Sequence, residues 1–219
     1  MRQMLDTVNA ARLPVDASMV GAYTDGLYAN EAAVRARCPH ALVVTITPHG
    51  LAGANVGDCE TGDLTPFSAA AWAAREVRSR RKPTIYCNLS TWSLVKTEVS
   101  KVGITGKVSY WIAHYDNIAK LIPGAVAKQY IERTDLNLDF SVAADYWPGV
   151  DPEPIPAPNL PEETSMRIIR TIPDGSRPLV ILKDDGHVVE ISNAKRQALI
   201  RYGVPESEGS PADYDIISK

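Results

Sequence analysis

The chain has 219 residues, 45% hydrophobic and 22% charged, with a formal net charge of -3. It is long enough to bury a sizeable core, as one barrel or as two smaller domains, and its mild acidity excludes a global attraction to nucleic acid or to an anionic membrane surface. Cys38, Cys59 and Cys87 are widely spaced, without CxxC or Cys-His ligand spacing, so neither a disulfide framework nor a zinc site is implied.

The first apolar stretch, Met4 to Val8, carries Asp6 and reads as a strand; the same carboxylate interrupts the segment that a signal peptide would need. Met19 to Tyr23 is a second strand. Asn30 to Arg37 can form a short helix with Asn30 as N-cap, stopped at Cys38-Pro39. Leu42 to Ile46 and Ala54 to Cys59 are the third and fourth strands, separated by the turn-rich Pro48-His49-Gly50-Leu51-Ala52-Gly53. The period then changes to helical. Thr65 is an N-cap, Pro66 occupies the first turn, Phe67, Ala70, Ala71, Ala74 and Val77 share a face, and Arg78, Arg80, Arg81 and Lys82 gather at the end where the helix dipole favours cations.

Pro83 to Cys87 is a fifth strand and Ser90 to Lys101 a helix ending at Gly103. Val108 to Ala113, Ala125 to Tyr130 and Leu136 to Val142 complete a set of eight strands. Strands apolar enough to be covered on both faces, alternating with helices, predict a parallel α/β architecture closed as a TIM-like (β/α) barrel. The connections among the last three strands are too short for helices, so the barrel is expected to lose them there.

Past Val150 the composition shifts. Five prolines fall between 152 and 161, among the acids Asp151, Glu153, Glu162 and Glu163, the signature of a stiff extended linker. We therefore expect a barrel over 1–150, a linker over 151–165 and a small α+β module over 166–219. In that module Met166 to Ile172, Pro178 to Lys183 and His187 to Ile191 read as strands, the last two joined through Asp184-Asp185-Gly186, with a helix from Ala194 to Tyr202 capped by Asn193. A piece of this size is marginal alone and is expected to dock on the barrel, another subunit or a larger assembly.

The chemistry is expected where acids end strands. Asp58 and Glu60 are two residues apart at the end of the fourth strand and should point together, and two adjacent acids can raise one another's pKa so that one keeps a proton to donate. Asp6 on the first strand and Asp139 on the eighth would enter the same cleft, because first and last strands adjoin in a closed barrel; Asp135 shares the parity of Asp139 and is the alternative. Tyr23, Tyr86, Trp111, Tyr115, Tyr130 and Trp147 are aromatics that could stack on sugar rings or serve the core. His40, His49, His114 and His187 are scattered, and His114 is the one expected nearest the cleft.

These segments carry a resemblance. Leu5-Asp6-Thr7, Val56-Gly57-Asp58-Cys59-Glu60-Thr61-Gly62-Asp63, Pro83-Thr84-Ile85-Tyr86, Tyr110-Trp111-Ile112-Ala113-His114-Tyr115, Gln129-Tyr130, and Asp139-Phe140-Ser141 before Asp145-Tyr146-Trp147-Pro148-Gly149 follow, over residues 5 to 150, the order of the family 25 glycoside hydrolases. The chain resembles these N-acetylmuramidase-type lysozymes, and more closely the short domains of this type encoded by actinobacterial phages. The resemblance implies a barrel lacking its last helices and peptidoglycan glycan strands as substrate, without a cofactor or a metal. It implies Glu60 as general acid, Asp58 shaping its pKa and assisting the reacting sugar, and Asp6 and Asp139 completing the cluster. Tyr23, Tyr86, Trp111, Tyr115, Gln129, Tyr130 and Asp135 would line the substrate groove. A phage lysin or virion-associated enzyme, made in the host cytoplasm and acting at the wall, is the expected setting. Its further partners would be virion proteins or a second copy. The alternative is a structural or tail-associated protein that keeps the barrel for binding or packing.

Overall fold

The structure, a computed structural model, describes residues 1–153 and four strands beyond them. The chain divides into two compact units, Met1–Glu153 and Pro154–Lys219. In the first, β1 (Arg2–Asp6), β2 (Met19–Tyr23), β3 (Leu42–Thr47), β4 (Val56–Cys59), β5 (Thr84–Asn88), β6 (Ser109–Ala113), β7 (Ala127–Arg133) and β8 (Leu138–Ala143) close into a barrel in chain order. Helices α1 (Glu31–Arg37), α2 (Pro66–Arg78) and α3 (Trp92–Lys101) follow β2, β4 and β5. The barrel is TIM-like with reduced helices, and besides the gaps among the last strands, the β3–β4 connection also lacks one.

The expectation of an all-parallel sheet is corrected at β8, which runs antiparallel to both β7 and β1. The cause is the short β7–β8 connection. Leu136 N donates to Arg133 O and Asn137 N to Thr134 O, with Asn137 at φ 53, a tight turn that can return the chain only antiparallel. Reversal brings the start of β8, not its end, to the mouth where the other strands finish.

Alternation sorts each strand into inside and outside. Met4, Met19, Val44, Ile46, Val56, Trp111, Ala127 and Ala143 fill the barrel interior. Outside, Cys59, Ile85, Cys87 and Ile112 pack under α2 and α3, while Leu5, Val20 and Ala22 pack with Val34 of α1 and with Leu13. Thr65 caps α2 by accepting a hydrogen bond from Ser68 N at 3.2 Å. The face α2 buries is Ala69, Ala70, Trp72, Ala73, Ala74 and Glu76; Phe67, expected on it, is 70% exposed, because the register is set by Trp72. That indole lies over Gly57, where a Cβ would come within 2.7 Å of it, so the glycine serves the approach of helix to sheet.

The far end of the barrel is closed by the chain after β8. Trp147, expected among sugar-stacking candidates, is 0% exposed beneath the interior. Its Nε1 donates to Thr84 Oγ1 at 2.7 Å, and its ring meets Trp111 edge-on at 6.0 Å between centroids. Asp151 anchors this plug, accepting from Trp147 N and pairing through both oxygens with Arg2 at 2.7 Å.

In the second unit β9 (Met166–Arg170), β10 (Leu179–Lys183), β11 (Val188–Ile191) and β12 (Glu206–Glu208) form a sheet of order β11-β10-β9-β12. β9 and β11 flank β10 antiparallel, and β12, not foreseen from the sequence, joins β9 in parallel. The linker from 154 to 165, the turn at 184–186 and the helix at 194–202 lie outside the described residues.

Candidate active site

At the mouth opposite the Trp147 plug lies a cavity of about 270 Å³. Asp6 ends β1, Asp58 lies on β4, Glu60 follows its last residue, and Asp139 stands second on β8; all four line the cavity. Each was foreseen, and the ends of the parallel strands β1 and β4 and the start of the antiparallel β8 deliver them to one place. Tyr23, Tyr86, Trp111, Tyr115 and Gln129 complete the expected walls.

Two expected residues do not belong to the cavity. Asp135 sits on the β7–β8 turn, its side chain 62% exposed and paired through both oxygens with Arg133 at 2.6 and 2.7 Å. Its shared parity with Asp139 counts for nothing because the turn intervenes: Asp135 precedes β8 and is not on it. Tyr130 is half-buried outside the lining. It occupies a β-bulge, since Gln129 pairs with Ser141 while Ile131 pairs with the adjacent Phe140. None of the described histidines lines the cavity, and His114 instead faces Asp116, Nδ1 to Oδ2 at 3.3 Å.

The bulge also explains the residue that sequence reading missed. Counting in twos from Gln129 sends Ile131 inward; the extra residue shifts the parity, and Glu132 enters the cavity opposite Asp139. No local sequence signal marks a bulge here. Asn88, the last residue of β5, was likewise unforeseen; its Nδ2 donates to Glu60 Oε1 at 3.1 Å. Tyr86 donates to Gln129 Oε1 at 2.6 Å, joining β5 to β7 across the floor, and Trp111 Nε1 donates to Ser141 Oγ at 3.1 Å. Asn30, expected only as a helix cap, makes no side-chain cap bond. It accepts from Tyr23 N at 3.0 Å and donates to Thr7 O at 2.8 Å, pinning the ends of β1 and β2.

Burial dominates the electrostatics. Asp6 and Asp58 are 4% and 3% exposed, and one oxygen of each, Oδ1, has no hydrogen-bond partner. A carboxylate so placed is costly to ionise. Asp58 is pushed up to about 8, by burial first and then by the charges of Glu60, Asp63 and Asp6. Asp6 is raised well above the usual carboxylate range by burial, then by Asp139 and Glu60. Asp139 rises to about 6, from burial and Glu132, against a lowering hydrogen bond from Gln129.

Glu60 is also raised, chiefly by burial, with Asp63 and Glu132 adding to this and hydrogen bonds from Asn88 and Tyr86 opposing it. The charges that raise Glu60 are those of Asp63 and Glu132, while Glu60 is itself among the charges that raise Asp58. Near neutral pH, then, two deep carboxyls keep their protons and Asp139 is ionised, while Glu60 has a raised pKa and access to the cavity. Tyr23 and Tyr86 are held far above the usual phenol range by burial and these acids, so both remain donors. Cys59 faces away under α2 and its thiol is pushed up to about 11, chiefly by burial, so it is no nucleophile.

Chemically, the cavity combines proton-bearing carboxyls, an ionised carboxylate and aromatic walls. No protein-family model and no curated protein sequence matches the chain. Among solved structures it is similar to a bacterial lysozyme from Streptomyces coelicolor, with 17% identity and a TM-score of 0.42 over 65% of this chain and 91% of that one. It is similar also to a muramidase from Acremonium alcalophilum, with 9% identity and a TM-score of 0.41 over 65% of this chain and 93% of that one.

Proposed function

We propose that the barrel is a glycoside hydrolase that cleaves the glycan of peptidoglycan, as the muramidase-type motifs of residues 5 to 150 suggest. The observation that carries the reading is the convergence of Asp6, Asp58, Glu60 and Asp139 on one aromatic-walled cavity at the barrel mouth. Glycosidic cleavage needs a proton for the departing oxygen and a negative charge beside the oxocarbenium-like centre. Glu60, raised and reachable, supplies the proton. Asp139, ionised above about 6, supplies the charge. Asp58 and Asp6, neutral at neutral pH, donate hydrogen bonds to ring substituents through oxygens that the protein leaves unpaired. Tyr115, exposed at the cavity wall, offers a face on which a sugar ring stacks, while the buried Tyr86 and Trp111 form the floor beneath it.

The motif resemblance extends the proposal to a phage-encoded enzyme that reaches the wall as a lysin or from a virion, through the second unit. The test is chemical. Peptidoglycan treated with the full chain, then reduced with borohydride and analysed by mass spectrometry, yields new reducing ends at muramic acid. Glu60→Gln lowers the rate by about 10²–10⁴-fold with an unchanged unfolding midpoint. Absence of new ends over pH 4–8 refutes the reading.

A further inference from the structure

Glu132 takes no part in the proposed cleavage, yet a bulge in β7 is what turns it into the cavity. It stands directly across the β7–β8 ladder from Asp139, and side chains so paired have Cβ atoms about 5 Å apart. Two carboxylates at that spacing repel one another unless a cation lies between them. The cavity offers none. Its lining contains no lysine, arginine or histidine among the described residues, and the two cations of β7 are engaged elsewhere. Lys128 Nζ is buried on the outer face against Asp116 at 2.6 and 2.7 Å, and Arg133 is held by Asp135. No three acid, histidine or cysteine side chains among the described residues converge closely enough to hold a metal ion. The same cavity holds the buried Oδ1 atoms of Asp6 and Asp58, polar atoms without a hydrogen-bond partner in the protein.

We propose that Glu132 and Asp139 form a subsite for a primary ammonium group, and that the enzyme therefore prefers glycan whose hexosamines carry free amines over fully N-acetylated glycan. The proposal rests on the glycosidase reading for its substrate class. An ammonium is a compact charge with three donors, enough to bridge two carboxylates and still reach a third acceptor. An acetamide in its place is neutral, has one N–H to give, and brings a carbonyl oxygen toward like charge. A cation of this kind could come from a sugar amine or from the diamino acid of a stem peptide. The cavity holds Asp139 beside Glu60, the proposed proton donor, which points to the sugar.

The experiment is a calorimetric titration of the full chain with β-1,4-linked glucosamine tetramer, N-acetylglucosamine tetramer and a lysine-bearing stem peptide. The expected result is about tenfold tighter binding of the glucosamine tetramer over its acetylated counterpart, falling to about twofold in Glu132→Gln. A ratio of affinities is insensitive to a purely structural loss. Should Glu132→Gln not fold, the wild type decides by salt, its preference shrinking between about 50 and 500 mM. Equal affinities, or a preference that survives Glu132→Gln or added salt, overturn the subsite. Tighter binding of the stem peptide than of the glucosamine tetramer overturns the sugar assignment. Binding needs no turnover, so an inert protein with the preference sinks the hydrolase reading alone, and an active one without it sinks only this inference.

Discussion

Gly21 passes so close beneath Asp6 that a Cβ at position 21 would lie 2.8 Å from the Cβ of Asp6 and 3.1 Å from Ile46 Cδ1. The contact is with a backbone-anchored atom, not with the end of a flexible chain, so relief requires β1 and β2 to part or Asp6 to tilt. The glycine on β2 is therefore part of the carboxylate's placement. Gly21→Ala is expected to cost about 1–3 kcal/mol in stability by overpacking, and about 10²-fold in peptidoglycan hydrolysis because the cluster is displaced. Urea denaturation and initial rates measure the two; a variant with full activity would show that Asp6 tolerates movement.

Trp147 gives the opposite pattern. It plugs the barrel at the end remote from the cavity, bonded to Thr84 and packed on Trp111. Trp147→Ala is expected to lose about 3–5 kcal/mol, seen as a lower thermal midpoint, while the activity per folded molecule changes little. A selective loss of activity with unaltered stability would show that this side chain serves the substrate and not the plug.

The raised acids set a pH dependence of stability. Asp58, Asp6 and Asp139 hold protons in the native state at pH values where the unfolded chain has released them. Their contribution is fully present below the unfolded carboxylate value of about 4 and is lost as pH rises, at about 1.4 kcal/mol per pH unit for each group still protonated only in the native state. For Asp139 the window closes near 6, and for Asp58 near 8. The barrel is thus expected to lose stability from pH 5 to 8. Asp58→Asn should flatten that slope and exceed the wild type by about 1–3 kcal/mol at pH 8. Chemical denaturation at pH 5 and 8 decides it; a wild-type midpoint that rises over this interval would mean that these carboxyls ionise freely.

The barrel and its four principal acids were legible because local rules governed them. Thr65 and Pro66 mark the start of α2, apolar runs mark the strands, and a two-residue period puts Asp58 and Glu60 on one side. The rest depended on features without a local signature. The reversal of β8 follows from a tight turn at Asn137, and with it Asp135 leaves the site. The β7 bulge inverts the parity after Gln129, hiding Glu132 and sending Tyr130 off the cavity wall. Phe67 and Trp72 compete for the buried face of α2, and only the gap above Gly57 decides in favour of Trp72. Trp147 has the composition of a sugar platform, yet the open end of the barrel takes it as a plug.

The central claim is that Glu60 gives its proton to the departing glycosidic oxygen. Glu60→Gln should abolish cleavage of the natural glycan, whose leaving group needs that proton, yet retain most of the wild-type rate on a dinitrophenyl glycoside of the same sugar, whose leaving group does not. Comparing the two rates in one preparation tests the claim most directly. Equal loss on both substrates, or undiminished cleavage of the glycan, would contradict it.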